Sequence, residues 1–297
     1  MNRKNHLVPP RMPVILRSSF MSWAIRGKDL LLARPLVMGI LNVTPDSFSD
    51  GGRFLDSGLA FAEAEKMAAG GADILDLGAE STRPGAHPVS AGEELKRLLP
   101  VLQKISAHLK VPISIDTTKP EVAKACLAEG AQIINDVSGL ADSGEAMARL
   151  VRDSGAGLVL MHRRGSPQTM QRQTDYTDVV CGVIRELGER FTAAQAYGIR
   201  DEQIILDPGF GFAKEAQQNF DLLKRLDEFK ALGRPVLAGL SRKAFIGKVS
   251  GREAAERDFG TAAALTLAYE RGARIFRVHN VQAARDVLAV CEATVKE

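Results

Sequence analysis

The chain holds 297 residues, 45% hydrophobic and 25% charged, with a formal net charge of +3. That length and balance suit one large globular domain, and α/β barrels fill about 250 residues as a single domain. The small charge, without a Lys/Arg run or an aromatic-basic stripe, argues against nucleic acid, and no apolar stretch approaches the roughly 18 residues of a membrane span. Cys126, Cys181 and Cys291 are scattered, offer no disulfide framework or metal spacing, and are expected as reduced, buried thiols of a cytoplasmic protein.

In chain order, residues 1–35 come first, with seven Lys/Arg against one acid, Asp29. A transit peptide would share that bias. Residues 23–32, however, read as a hairpin turning near Gly27-Lys28, so 1–35 is expected as a short extension and hairpin closing a barrel floor. The remaining 36–297 is expected as one domain. Eight short runs rich in Val, Ile and Leu follow, at 37–42, 72–78, 113–117, 132–137, 158–162, 204–207, 236–240 and 275–279. Their near-continuous apolarity is that of strands buried on both faces. Between them lie helical patterns at 59–69, 93–109, 120–129, 145–153, 178–196, 216–229, 253–271 and 281–295. Pro120 opens the third, where its missing N–H costs nothing.

Glycine recurs at the joints from helix to strand, at Gly71, Gly130, Gly155, Gly198, Gly233 and Gly272, where a left-handed residue ends a helix. A doubly wound open sheet normally has fewer strands and a glycine-rich dinucleotide turn, and no G-x-G-x-x-G follows the first strand here. The expected fold is therefore α/β, a (β/α)₈ TIM barrel of one domain.

Barrel active sites lie at the C-terminal strand ends. Those ends read Asn42, Glu80, Asp116, Asn135-Asp136, His162, Asp207, Ser241-Arg242-Lys243, and Arg277 with His279. Any one of them is as readily a turn former or helix cap. Their convergence from all eight strands is harder to dismiss. Alternation along Ile275-Phe276-Arg277-Val278-His279 turns Arg277 and His279 to one face, into the barrel. Burying a guanidinium is costly without an anion, so a phosphate or diphosphate ligand is expected there. Asp116 and Asp207 could be an acid/base pair, metal ligands, or acceptors for a ring with several N–H donors. Their separate strands suit acceptors around a flat heterocycle. The loops at 43–54 and 81–88 are long and polar enough to be lids.

Longer motifs add a resemblance. Met38-Gly39-Ile40-Leu41-Asn42-Val43-Thr44-Pro45-Asp46-Ser47-Phe48-Ser49-Asp50-Gly51-Gly52 resembles the first signature of dihydropteroate synthases, and Glu80-Ser81-Thr82-Arg83-Pro84-Gly85 the second. Ile115-Asp116-Thr117, Ile134-Asn135-Asp136-Val137, Leu206-Asp207-Pro208-Gly209-Phe210-Gly211-Phe212, Ser241-Arg242-Lys243 and Arg277-Val278-His279 continue it in order, over roughly residues 36–296.

The resemblance implies condensation of 6-hydroxymethyl-7,8-dihydropterin diphosphate with p-aminobenzoate to 7,8-dihydropteroate and diphosphate, in folate synthesis. It implies that Asn42 holds Mg²⁺ on the diphosphate, and that Asp116, Asn135, Asp207 and Lys243 hold the pterin. Arg277 and His279 would take the diphosphate. Thr82, Arg83, Pro84, Phe212 and Ser241 would form the p-aminobenzoate pocket. A homodimer is also implied, with 253–271 and 281–295 as contact surfaces. Two departures stand out: Asn280, where an acid is common, and Arg163-Arg164, which would add positive charge beside the pterin. His162 and His87 read as a rim and a loop histidine. Rival readings are a methyltetrahydrofolate-dependent methyltransferase, which shares the pterin-binding barrel, and a non-catalytic paralogue.

Overall fold

The computed structural model describes residues 22–44, 57–82 and 85–295. An antiparallel hairpin, β1 (Ser22–Ile25) and β2 (Lys28–Leu31), precedes eight parallel strands. These are β3 (Leu36–Asn42), β4 (Ile74–Gly78), β5 (Ile113–Asp116), β6 (Ile133–Asp136), β7 (Gly157–Met161), β8 (Ile204–Asp207), β9 (Leu237–Ala238) and β10 (Ile275–Val278). They pair in the order β8-β7-β6-β5-β4-β3-β10-β9, and a parallel bridge from Leu206 to Val236 closes the ring. The helices α1 (Ser57–Ala69), α2 (Ala91–His108), α3 (Pro120–Ala128), α4 (Gly144–Ser154), α5 (Val179–Ala196), α6 (Ala216–Lys224), α7 (Ala244–Ser250), α8 (Asp258–Glu270) and α9 (Val281–Val295) return the chain between strands. The fold is the expected α/β TIM barrel.

Alternation along each strand divides the core in two. Val37, Leu75, Leu77, Ile115, Ile134, Leu158, Leu206 and Phe276 face outward into a cluster under the helices. Met38, Ile74, Ile133, Val159, Ile205, Leu237 and Ile275 face inward and pack with Trp23 and Ile25 of the hairpin. The hairpin thus plugs the N-terminal end of the barrel. Trp23 and Ile25 are fully buried, and Trp23 Nε1 donates to Gln203 O at 2.8 Å. A Cβ on Gly157 would lie 2.6 Å from Ile25 and 3.0 Å from Trp23, so glycine there is what lets the hairpin dock.

Several boundaries differ from the sequence reading. The hairpin turns at Arg26-Gly27, both at positive φ, because the two-residue turn that matches strand twist needs that geometry. The run 236–240 shrinks to Leu237–Ala238: Pro235 has no N–H to donate, and Arg242 turns left-handed at φ 57. The pattern at 216–229 breaks at Arg225 into α6 and a 3₁₀ turn, Leu226–Leu232. The pattern at 253–271 resolves into a 3₁₀ turn, Ala254–Glu256, and α8, while the seven-residue α7 was not anticipated. The glycine joints hold, with φ from 66° at Gly233 to 106° at Gly130. Cys126 and Cys291 are buried free thiols as expected, but Cys181 is exposed, on the outer face of α5.

Candidate active site

Register sets the tiers of the barrel mouth. Asn42 pairs with Gly78, Gly78 with Asp116, and Asp116 with Asn135, so these four share one inward-facing level. One level deeper lie Ile40, Asp76, Ser114 and Ile133. The inward face therefore turns from apolar at the hairpin to polar at the C-terminal strand ends.

Arg277 enters this polar level from β10, as alternation predicted, but it finds its anions within the chain. Its Nε donates to Asp76 Oδ2 at 2.6 Å and its Nη2 to Asp116 Oδ2 at 2.8 Å. Two carboxylates of the chain balance the buried guanidinium, so its burial alone does not call for an external anion. Asp76 Oδ2 also accepts from Asn135 Nδ2 at 3.1 Å, so one oxygen orients both partners. Burial works against the charge on Arg277, yet Asp76 and Asp116 outweigh it and raise its pKa. Burial pushes the Asp116 carboxyl up to about 7, opposed by Arg277 and reinforced by Asp76, Glu94 and Asp136. Asp76 Oδ1, Ser114 Oγ and Asp116 Oδ1 are buried without a hydrogen-bond partner among the described residues. Three orphaned buried acceptor atoms in one cluster call for a donor from outside the chain, a ring N–H or a water.

A second group faces them. Asp207 Oδ1 accepts from Gly209 N at 2.7 Å, and burial raises its pKa against that bond and the charges of Lys243 and Arg277. Lys243 Nζ lies 4.3 Å from the centre of the Phe212 ring, a cation–π contact. Burial pushes Lys243 down to about 8, with Asp207 opposing. Ser241 Oγ lies 3.0 Å from His279 Nδ1 and accepts from His279 N at 3.2 Å, which ties the ends of β9 and β10. Arg277 and Lys243 each lie within the fields of both Asp116 and Asp207, so the two carboxylates share these cations across the mouth.

Other rim candidates serve the scaffold. Glu80 pairs with Lys119, which also bonds the fully buried Glu94 at 2.8 Å. Asp136 faces outward and accepts from Ser138, Leu140 and Ser143, organising its own turn. Arg163 pairs with Asp142, and Arg164 with Glu186 over the Tyr176 ring, so neither brings the extra charge expected beside the site. Asn280 caps α9 through Ala283 N and bonds Asp258, which also holds Arg242. Asn42 is half-buried at the end of β3, and Thr82 is half-buried at the stem of its loop. Gly85 N donates to Pro167 O at 3.0 Å, so that loop reaches the one after β7, three strands away. Arg83, Pro84 and loop residues 45–54 lie outside the described residues.

Two residues escaped the sequence reading. Asp76 sits inside Ile74-Leu75-Asp76-Leu77-Gly78, not at a strand end. A lone acid in an apolar run, two residues before an inward glycine, was the available signal. Lys214 looked like an ordinary loop lysine but is 3% exposed.

A barrel mouth that sets orphaned carboxylate oxygens beside buried cations has the build of a small-molecule enzyme site. The family model described as pterin binding enzyme matches residues 38–279. The dihydropteroate synthase of Synechocystis sp. is 46% identical over 286 residues, 96% of this chain and 95% of that protein. That of Escherichia coli is 44% identical over 269 residues, 91% of this chain and 95% of its own length. Among solved structures, Xanthomonas albilineans dihydropteroate synthase with 4-aminobenzoic acid matches at a TM-score of 0.86 and 46% identity, over 92% of this chain and 98% of that one. The same organism's enzyme in complex with 7,8-dihydropteroate matches at 0.80 and 41% identity, over 91% and 98%. The chain belongs to the dihydropteroate synthase family.

Proposed function

We propose that this chain condenses 6-hydroxymethyl-7,8-dihydropterin diphosphate with p-aminobenzoate, releasing diphosphate and 7,8-dihydropteroate. The carrying observation is the set of orphaned buried acceptors, Asp76 Oδ1 and Asp116 Oδ1 with Ser114 Oγ, in a chain of this family. A pterin presents several ring and amino N–H groups to such acceptors. Asp116, Asn135, Asp207 and Lys243 hold the ring. Arg277 Nη1 forms no bond among the described residues and, with His279, is directed to the diphosphate, while Nε and Nη2 stay with Asp76 and Asp116. Phe212, Ser241 and Thr82, with Arg83 and Pro84, form the p-aminobenzoate side.

In the reaction the C–O bond to diphosphate breaks, a C–N bond to the arylamine forms, and the amine gives up a proton. The residues named contribute positioned charge rather than a nucleophile. Arg277 and His279 receive the departing anion. Asp116 stabilises positive charge developing on the ring. The loops at 43–54 and 81–88 keep water from the reacting carbon.

Mg²⁺ fits this donor set as a companion of the substrate. Asn42 offers a single hard oxygen, and no group of three His, Cys, Asp or Glu that could hold a metal occurs among the described residues. Magnesium is content with one protein oxygen when phosphate and water complete its shell. It would neutralise charge on the leaving diphosphate. We further read the protein as a cytoplasmic homodimer. Three free thiols suit a reducing compartment, and exposed apolar residues concentrate on α7, α8 and α9.

The test is incubation of the purified protein with dihydropterin diphosphate, p-aminobenzoate and Mg²⁺. Dihydropteroate and free diphosphate are expected in equal amounts, and a chelator should abolish most turnover. Intact substrates at saturation would overturn the synthase reading, and a methylated corrinoid formed from methyltetrahydrofolate would replace it.

A further inference from the structure

Lys214 is a buried cation with no carboxylate in hydrogen-bond contact among the described residues. Its ammonium donates to His162 Nδ1 at 3.0 Å, Gly209 O at 3.0 Å and Phe212 O at 2.9 Å, so each of its three protons has one neutral acceptor. Burial pushes it down to about 7, with the field of Asp207 opposing. A buried charge held this way adds little stability that an apolar side chain of equal size would not. What it adds is geometry.

That geometry falls on the segment joining the two substrate sides of the mouth. Asp207 opens the 207–214 turn and Phe212 lies within it. The path is tightly bent: Gly209, Gly211 and Ala213 have φ of 71°, 83° and 50°. A Cβ on Gly209 would lie 2.0 Å from His162 O, so the turn presses against the end of β7. Asn219, 1% exposed, holds the outer side through Gly211 N at 2.6 Å. The ammonium draws two carbonyls of this bend toward itself from within.

His162 completes the arrangement. It is fully buried, and its Nε2 lies 3.0 Å from Glu186 Oε2, whose carboxylate also binds Arg164. With Nε2 protonated toward Glu186, Nδ1 keeps a lone pair for Lys214. Burial, then Lys214 and Arg190, push His162 down to about 3, so it stays a neutral acceptor at working pH.

We propose that Lys214 is a positioning residue, a buried ammonium that clamps the 207–214 turn to His162 and so sets Asp207 against the pterin and Phe212 against p-aminobenzoate. Glu186 and Arg164 support the clamp from α5 and the loop after β7. Lys214 touches neither substrate; it fixes the segment that meets both.

This rests on the synthase reading, and the experiment separates the two. Lys214→Met keeps an unbranched stem, one atom shorter, and removes all three donors. On the folded fraction, verified by circular dichroism and by emission of the single tryptophan, Trp23, at the far end of the barrel, the KM for p-aminobenzoate should rise about tenfold or more, the size of one or two lost charged hydrogen bonds. Binding of inorganic diphosphate, held from β10 and by no bond to the 207–214 turn, should change less than about twofold. A second pair covers poor folding of that variant. His162→Gln retains an acceptor for Lys214 and a donor for Glu186, whereas His162→Leu retains neither. The leucine variant should show the higher KM for p-aminobenzoate, by about fivefold, at comparable folded fraction. Equal KM values in that pair, or a Lys214→Met enzyme that melts earlier with KM unchanged, would overturn the clamp. An inactive parent protein would overturn the synthase reading instead.

Discussion

Asp116 occupies the most informative position in the mouth. Its carboxyl is buried, shares Arg277 with Asp76, and keeps one oxygen without a partner. A carboxyl raised to about 7 in the fold holds its proton more tightly folded than unfolded, where the value is about 4. Its contribution to stability therefore falls as pH rises from about 4 through about 7. Asp116→Asn removes that dependence. Its melting temperature relative to the parent should climb between pH 5 and pH 7.5, and a difference independent of pH would refute the assignment. This part of the site was half legible in the sequence. Strand ends located Asp116, Asn135, Asp207, Lys243, Arg277 and His279, because the C-terminal face of a barrel concentrates polar groups. The partners were not legible, because Asp76 lies mid-strand and the contact of Arg277 with it spans 201 residues. His162, taken for a rim group, is tied instead to Lys214 and Glu186.

Among the elements, those punctuated by glycine were the legible ones. The eight inner strands follow from apolar runs, six of them entered through left-handed glycines, whereas the seven-residue α7 is too short for helical periodicity to mark it. The β1–β2 hairpin was visible from Gly27, but its importance lies in packing that no local pattern carries. Trp23 fills the barrel end against Met38, Ile74, Ile133 and Val159. It also satisfies its indole N–H at Gln203 O, which fixes the hairpin over β8. Trp23→Ala leaves a cavity under the inner strands and should cost about 3–5 kcal/mol in urea unfolding. The mouth lies at the opposite end, so the turnover of folded Trp23→Ala should stay close to that of the parent. A loss below about 1 kcal/mol would mean that the hairpin covers the floor without supporting it.

Across the whole molecule, polarity and shape divide the labour. One barrel end is an apolar plug, the other a charged mouth, and the flank made by α7, α8 and α9 presents Val249, Phe259, Leu267, Val290 and Val295 to solvent. Phe259 is 92% exposed, an unfavourable position for a ring unless another surface covers it. Further along α8, Tyr269, Val287, Val290, Cys291 and Val295 line a groove between α8 and α9. A second copy meeting this flank about a two-fold axis would cover the groove on both molecules at once, since a two-fold contact places the same patch against itself. The pocket residues on β4, β5, β6 and β8 would stay clear of that contact. Val290→Glu, 68% exposed in one chain, should fold normally and cost the single chain little. In the dimer it would bury two unpaired carboxylates, at a cost of several kcal/mol each. Sedimentation should then give a monomer for Val290→Glu and a dimer for the parent at micromolar concentration. A parent that sediments as a monomer would remove the dimer, and a variant that remains dimeric would move the contact off this groove.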